Sequence, residues 1–201
     1  MKEIFKPEDS ALLLIDHQVG TMQLIKTIPL DTVMKNTIAL AKTAQILGLP
    51  VVLTSSQEEN LQGPLIPELE EIVPKAFAAR IKRAGIVNAW NDPNFRKAVE
   101  ATGKRSLIMA GVTTDVCLIY PSINAVQEGY KVQAVIDASG SPFDISEEMS
   151  RRRMEKAGVV LTATNTLIAE LAQDWSTKHG QQLIQLLFTG ILPEIKANQP
   201  A

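Results

Sequence analysis

The sequence predicts a three-layer α/β domain, doubly wound around a mainly parallel central sheet. Two observations carry this reading. Short apolar runs of strand length recur along the chain, and longer stretches of helical period separate them. The runs are nearly continuous in apolar character, as strands buried on both faces must be, so helices are expected on both sides of the sheet.

The strand-like runs are Ala11–Ile15, Pro50–Thr54, Leu107–Ala110, Val132–Ile136 and Val159–Thr162. Asp31 to Leu47 is the clearest helix, with Val33, Ile38, Leu40, Ala41, Ala44 and Leu47 on one side and Gly48 where a left-handed C-cap sits. Asp92-Pro93 supplies an N-cap followed by proline at the first helical position and opens a helix that runs to Gly103. Thr114 or Asp115 caps a third that runs to Gly129, and Ser146 starts a fourth that ends at Gly158. From Asn165 a helical pattern leads to a second apolar stretch, Leu183 to Phe188, whose tip is expected to pack on another subunit. With 201 residues, no repeats and no linker, the whole of 1–201 reads as one domain, with about 176–201 engaged in subunit contacts.

Composition narrows the function. Twenty Lys plus Arg against 22 Asp plus Glu give a net charge of −2, which offers neither nucleic acid nor an anionic membrane a footprint. The longest apolar run is far short of the roughly 18 residues of a membrane helix, and the opening MKEIFKPEDS is too charged for a signal peptide core, so a cytoplasmic protein is expected. The single cysteine, Cys117, excludes an intrachain disulfide and a cysteine-cluster metal site. Gly103-Lys104 lacks the glycine a phosphate loop requires five positions earlier, where Ala98 stands, and no G-x-G-x-x-G, G-x-S-x-G or H-E-x-x-H occurs.

In a doubly wound sheet, ligands bind beyond the carboxyl ends of the strands. Those ends carry Asp16-His17-Gln18, Ser55-Ser56-Gln57, the loop Gly111 to Cys117, and Asp137-Ala138-Ser139-Gly140. Cys117 falls just inside a predicted helix start, where free N–H groups and the helix dipole favour a thiolate. A free cysteine is equally at home as buried filler. Asp16, after four apolar residues, either caps a turn or does acid–base work, and in such a sheet it can neighbour Cys117. Lys82 and Arg83, in the stretch leading to Asn88-Ala89-Trp90, are either a cation for that pair or surface charges. Met22, Leu24 and Leu61 suggest an apolar wall.

Asp16 at the end of the first strand, a basic residue before a short x-Ala-aromatic segment, and Gly111-Val112-Thr113-Thr114-Asp115-Val116-Cys117 together resemble the isochorismatase-like cysteine hydrolases over about Ala11 to Trp175. Leu14-Ile15-Asp16-His17-Gln18, Asn88-Ala89-Trp90 and Asp137-Ala138-Ser139-Gly140 are similar to the YcaC-like branch of that family. The resemblance implies a triad of Asp16, a basic residue and Cys117, with the thiolate attacking a small amide-like carbon. It also implies an oxyanion hole from the backbone N–H groups of Thr113 and Cys117, a cis peptide between Val112 and Thr113, and a pocket lined by Gln18, Asn88 and Trp90. His17 is read as structural, and Trp175 and His179 have no motif. A homo-oligomer larger than a dimer, such as an octamer, follows from the same resemblance.

Two departures from the family pattern stand out. The usual basic residue is Lys, whereas counting back from Asn88 favours Arg83, with Lys82 the alternative; only one of two successive residues in extended chain faces inward. Metal-dependent relatives carry Asp-x-His after the second strand, where this chain has Thr54-Ser55-Ser56-Gln57-Glu58, so neither metal nor cofactor is expected. The readings to be separated are a metal-free cysteine hydrolase of C–N bonds in a small-molecule substrate, a vinyl-ether hydrolase of the isochorismatase type that needs no Cys117, and a non-catalytic binding or scaffold protein.

Overall fold

The computed structural model describes residues 4–195. Six strands form one sheet: β1 (Ser10–Ile15), β2 (Val51–Ser56), β3 (Ile81–Arg83), β4 (Ser106–Gly111), β5 (Lys131–Val135) and β6 (Val160–Thr162), in the order β3-β2-β1-β4-β5-β6. Every neighbouring pair is parallel. The order reverses between β1 and β4, and a crevice opens at such a switch point because the flanking connections leave in opposite directions.

The two central strands are buried along their whole length, and their residues alternate between two cores. Leu12, Leu14, Ile108 and Ala110 face one side, with Val33, Leu40, Ala41 and Ala44 of α1 (Leu30–Leu47) and Leu167 and Leu171 of α7 (Thr164–Ala172). Ala11, Leu13, Ile15, Leu107 and Met109 face the other, with Phe95 and Val99 of α4 (Pro93–Ala101), Ile119 and Ala125 of α5 (Ile119–Gln127) and Met154 of α6 (Asp144–Ala157). Helix on sheet on helix is the three-layer arrangement the apolar strands require.

Local signals act as their chemistry dictates. The Asp92 carboxylate accepts from the N–H groups of Asn94 and Phe95 at 2.8 and 3.2 Å, capping α4 behind Pro93. Gly48 ends α1 in the left-handed region, φ 67°.

Three features differ from the sequence reading. The short edge strand β3 lies in the stretch between Ala79 and Val87; with three residues, one of them exposed, it has no apolar run to reveal it. The helices α2 (Pro67–Ile72) and α3 (Pro74–Ala78) are likewise too short to show a period. The apolar stretch of α8 (Lys178–Gly190) is satisfied within the chain: Leu183 and Leu187 are buried against Ala39 of α1 and Ile168 of α7. That packing removes the apolar pattern as an argument for subunit contacts there, leaving Phe188 half exposed, and residues 196–201 of the proposed contact segment lie outside the described residues.

Candidate active site

The carboxyl ends of β1, β4 and β3 meet around a cavity of about 470 Å³ lined by Asp16, Arg83, Thr113 and Cys117 among others. Pairing registers bring these ends together: Ile15 lies beside both Thr54 and Gly111, and Ser56 beside Arg83. Asp16 follows directly with φ 59°, a left-handed turn that aspartate tolerates better than most residues, and its N–H donates to the Thr54 carbonyl at 2.9 Å.

Arg83 points inward and Lys82 outward, as adjacent strand positions must. One terminal nitrogen of Arg83, Nη2, donates to both carboxylate oxygens of Asp16, and the two side chains are almost completely shielded from water. Arg83 Nε donates to Thr54 Oγ1 at 3.0 Å, and Nη1 donates to the carbonyls of Ile86 and Val87. Lys82, more than half exposed, instead pairs with Glu58 at 2.8 Å. Against the upward push of burial, hydrogen bonds from Arg80, Lys82 and Ser55 hold the Glu58 carboxyl down at about 2.

Cys117 sits not in an ordinary first α-turn but in a π-helical turn, Thr114–Leu118, that runs into α5. Its thiol lines the same cavity as the Asp16 carboxylate, and the two groups perturb one another's titration. Burial, then the charge and hydrogen bond of Asp16, push the thiol well above its ordinary range, with Arg83 and the Thr113 backbone pulling the other way. The helix-start argument for a thiolate is thus opposed by burial and by the Asp16 charge, both of which favour the neutral thiol. Burial likewise raises Asp16, opposed by the charge and hydrogen bonds of Arg83.

The peptide bond between Val112 and Thr113 is cis. The Thr113 backbone lies against the thiol and favours its charged form. The Cys117 N–H, the other donor expected for an oxyanion, is committed to the Thr113 carbonyl at 2.8 Å.

The remaining pocket residues need correction too. Gln18 lines the cavity, but its amide is spent on structure: Nε2 donates to the carbonyls of Ser56 and Gly63, and Oε1 accepts from the Ser56 N–H at 2.8 Å. Asn88 and Trp90 are not among the lining residues. Asn88 accepts from the Trp90 N–H and donates to Asn124, and Trp90 is core, edge-on to Phe95 and Tyr130 at 6.3 and 5.5 Å. Met22 is buried in the core, while Leu24 and Leu61 do form cavity wall.

Residues that sequence alone left without partners also settle. His17 is fully buried; its Nε2 donates to the Ala138 carbonyl at 2.9 Å and burial lowers its pKa to about 4, so it is neutral. Asp137 accepts from the N–H and hydroxyl of Thr164, both at 2.8 Å, and anchors the start of α7. The loop after Gln57 walls the cavity with Gln57, Leu61 and Gln62, and of these the sequence singled out Leu61.

A buried Asp16–Arg83 pair and the half-buried Cys117 line one cavity at the switch point of a parallel, doubly wound α/β sheet. The chain belongs to the isochorismatase domain family, whose match spans residues 10–166. It is 38% identical over 188 residues, 94% of this chain and 88% of the relative, to the probable hydrolase YcaC of Escherichia coli. Among solved structures, YcaC of Pseudomonas aeruginosa, with hexane-2,5-diol and covalent acrylamide, superposes with a TM-score of 0.90 at 38% identity, covering 95% of this chain and 93% of that one. The E. coli YcaC structure, described as an octameric hydrolase of unknown specificity, gives 0.88 at 40% identity over 93% and 90% of the two chains.

Proposed function

We propose that the protein is a cysteine hydrolase that cleaves the C–N bond of a small amide-like substrate, with Cys117 as nucleophile, Asp16 as general base and acid, and Arg83 as fixed counter-charge. The observation that carries this reading is that the Cys117 thiol shares one cavity with the buried Asp16–Arg83 ion pair. A thiol with no reactive role has little reason to face the one carboxylate that lines that space.

In the reaction, Asp16 takes the Sγ proton as sulfur attacks the acyl carbon, and the Thr113 N–H receives the developing oxyanion. Collapse breaks the C–N bond, Asp16 returns the proton to the departing nitrogen, and a thioester remains. Water then gives a proton to Asp16 and its oxygen to the acyl carbon; the acid leaves and sulfur recovers the proton. Arg83 keeps its charge throughout, because guanidinium does not deprotonate, and so holds Asp16 in place without shuttling.

Support from relatives has the same direction. The E. coli relative is described as a hydrolase, and the P. aeruginosa relative holds a covalently bound amide-bearing electrophile. We extend the octameric state of the E. coli relative to this chain as a homo-oligomer larger than a dimer; the exposed Phe143, Ile145 and Met149 at the start of α6 supply apolar surface for it. Light scattering that returns a monomer mass overturns that assembly.

The test of activity is turnover of a primary-amide panel by wild type and Cys117→Ala. Loss of turnover with retained fold supports the reading. Retained turnover in Cys117→Ala moves the assignment to a cysteine-independent hydrolysis such as vinyl-ether cleavage, and an inert wild type to a binding protein.

A further inference from the structure

Among the described residues only two charged side chains line the cavity, Asp16 and Arg83, and they neutralise each other. Each guanidinium nitrogen of Arg83 is already engaged by the protein: Nε by Thr54 Oγ1, Nη1 by the carbonyls of Ile86 and Val87, and Nη2 by the Asp16 carboxylate. The nearest other cations are turned elsewhere, Lys82 and Arg80 both holding Glu58. The wall is apolar and its outer edge is left uncovered: Leu61 is 97% exposed, Val87 58% and Leu24 53%, with Val116 beside the thiol. A shallow groove that shares Leu61 adds Glu59, a further anion.

We infer that the site takes an uncharged small acyl compound with an apolar body and rejects carboxylates and phosphates at the reacting end. This deepens the proposed function and rests on Cys117 being the reacting atom. The physical reason is desolvation. An anion entering this space gives up water, meets Asp16 beside the thiol, and finds no uncommitted cation, whereas an amide loses far less on transfer and keeps its carbonyl for the Thr113 N–H. The cavity volume is in the range of small-molecule sites, roughly 300–1,000 Å³. Leu61 and Val87 then set specificity by touching the apolar body at the entrance.

The test uses matched alkylating probes on the intact oligomer: iodoacetamide, which is neutral, iodoacetate, which is anionic, and 2-bromoethylammonium, which is cationic. Rates at Cys117, followed by intact mass, are divided by the rate of each probe on free cysteine. The expected result is a normalised preference for iodoacetamide of at least about tenfold over either charged probe. In Leu61→Lys, where the substituted side chain is almost wholly in solvent, the disadvantage of iodoacetate is expected to shrink. Iodoacetate reacting as fast as iodoacetamide after normalisation overturns the inference.

If none of the probes reaches the thiol, thermal shifts with isobutyramide, isobutyrate and isobutylammonium decide the matter, because binding alone stabilises the native state. A shift with the amide alone upholds the inference, and an equal or larger shift with either ion overturns it. Neutral selectivity without turnover of any amide leaves the pocket inference standing and sinks the hydrolase reading. Turnover with iodoacetate fully reactive does the reverse.

Discussion

Arg83 and Asp16, 67 positions apart in sequence, meet as a fully buried ion pair in which one guanidinium nitrogen spans both carboxylate oxygens. Removing one member of such a pair strands the other in a medium that cannot solvate it, typically at about 3–5 kcal/mol. Arg83→Met is therefore expected to lower the urea-unfolding free energy by that order and to abolish turnover. Lys82→Met, one residue away, breaks only a bridge whose lysine is largely in water, and is expected to cost less than about 1 kcal/mol. The paired measurement is urea unfolding and amide turnover of both variants. A tolerant Arg83→Met beside an inactive Lys82→Met reverses the assignment of the cation.

The alkylation profile of Cys117 follows from its neighbours. Burial and Asp16 raise its pKa, so wild type is expected to react with an apparent pKa above that of a free cysteine, about 8.5. In Asp16→Asn the repelling charge is gone while Arg83 keeps its own. The profile is expected to move to lower pH even as turnover disappears for want of a base. Iodoacetamide rates from pH 6 to pH 10 check this; a profile indifferent to Asp16→Asn disproves the coupling.

Sequence reasoning reached β1, β2, β4, β5 and β6, the helix caps at Asp92 and Gly48, and the meeting of Asp16, Arg83 and Cys117 at one cavity, because each rests on periodicity, on cap chemistry or on family motif. It misplaced Asn88 and Trp90, whose partners Asn124, Phe95 and Tyr130 lie elsewhere in the chain, where no local pattern announces them. It left the thiol open between a dipole-stabilised thiolate and buried filler, because the helix-start argument counts the dipole and not the carboxylate that the β1 turn places at the same cavity. Of the apolar wall it named, Leu24 and Leu61 line the cavity and Met22 is drawn into the core.

His17 makes the fold sensitive to mild acid. Its native pKa of about 4 lies below the ordinary value of 6.5, so between those values the unfolded chain binds the proton and the native state does not. Stability is accordingly complete above about pH 6.5 and falls as the pH drops toward 4, by up to about 3 kcal/mol from this residue alone. Urea midpoints at pH 7, 5.5 and 4.5 are expected to decline in wild type and to decline less in His17→Gln, which carries no titrating ring. Equal slopes in the two proteins contradict this role.

Gly20 fixes the opposite wall of the cavity. A Cβ built there would lie 1.8 Å from the Leu61 carbonyl oxygen and 2.9 Å from that of Gln62, and both obstructing atoms are backbone. The Gly20 N–H also donates to the Gln62 carbonyl at 2.9 Å, so the two segments are bonded at the point of closest approach. Gly20→Ala must break that bond and push the Leu61 segment outward. The expected cost is about 1–3 kcal/mol of stability. Because the wall and the nucleophile sit on different segments, KM for an apolar amide should rise more than kcat falls, while the pH profile of Cys117 alkylation stays that of wild type. Steady-state kinetics and iodoacetamide titration of Gly20→Ala test the two halves separately, and a displaced alkylation profile would mean that the wall also positions the thiol.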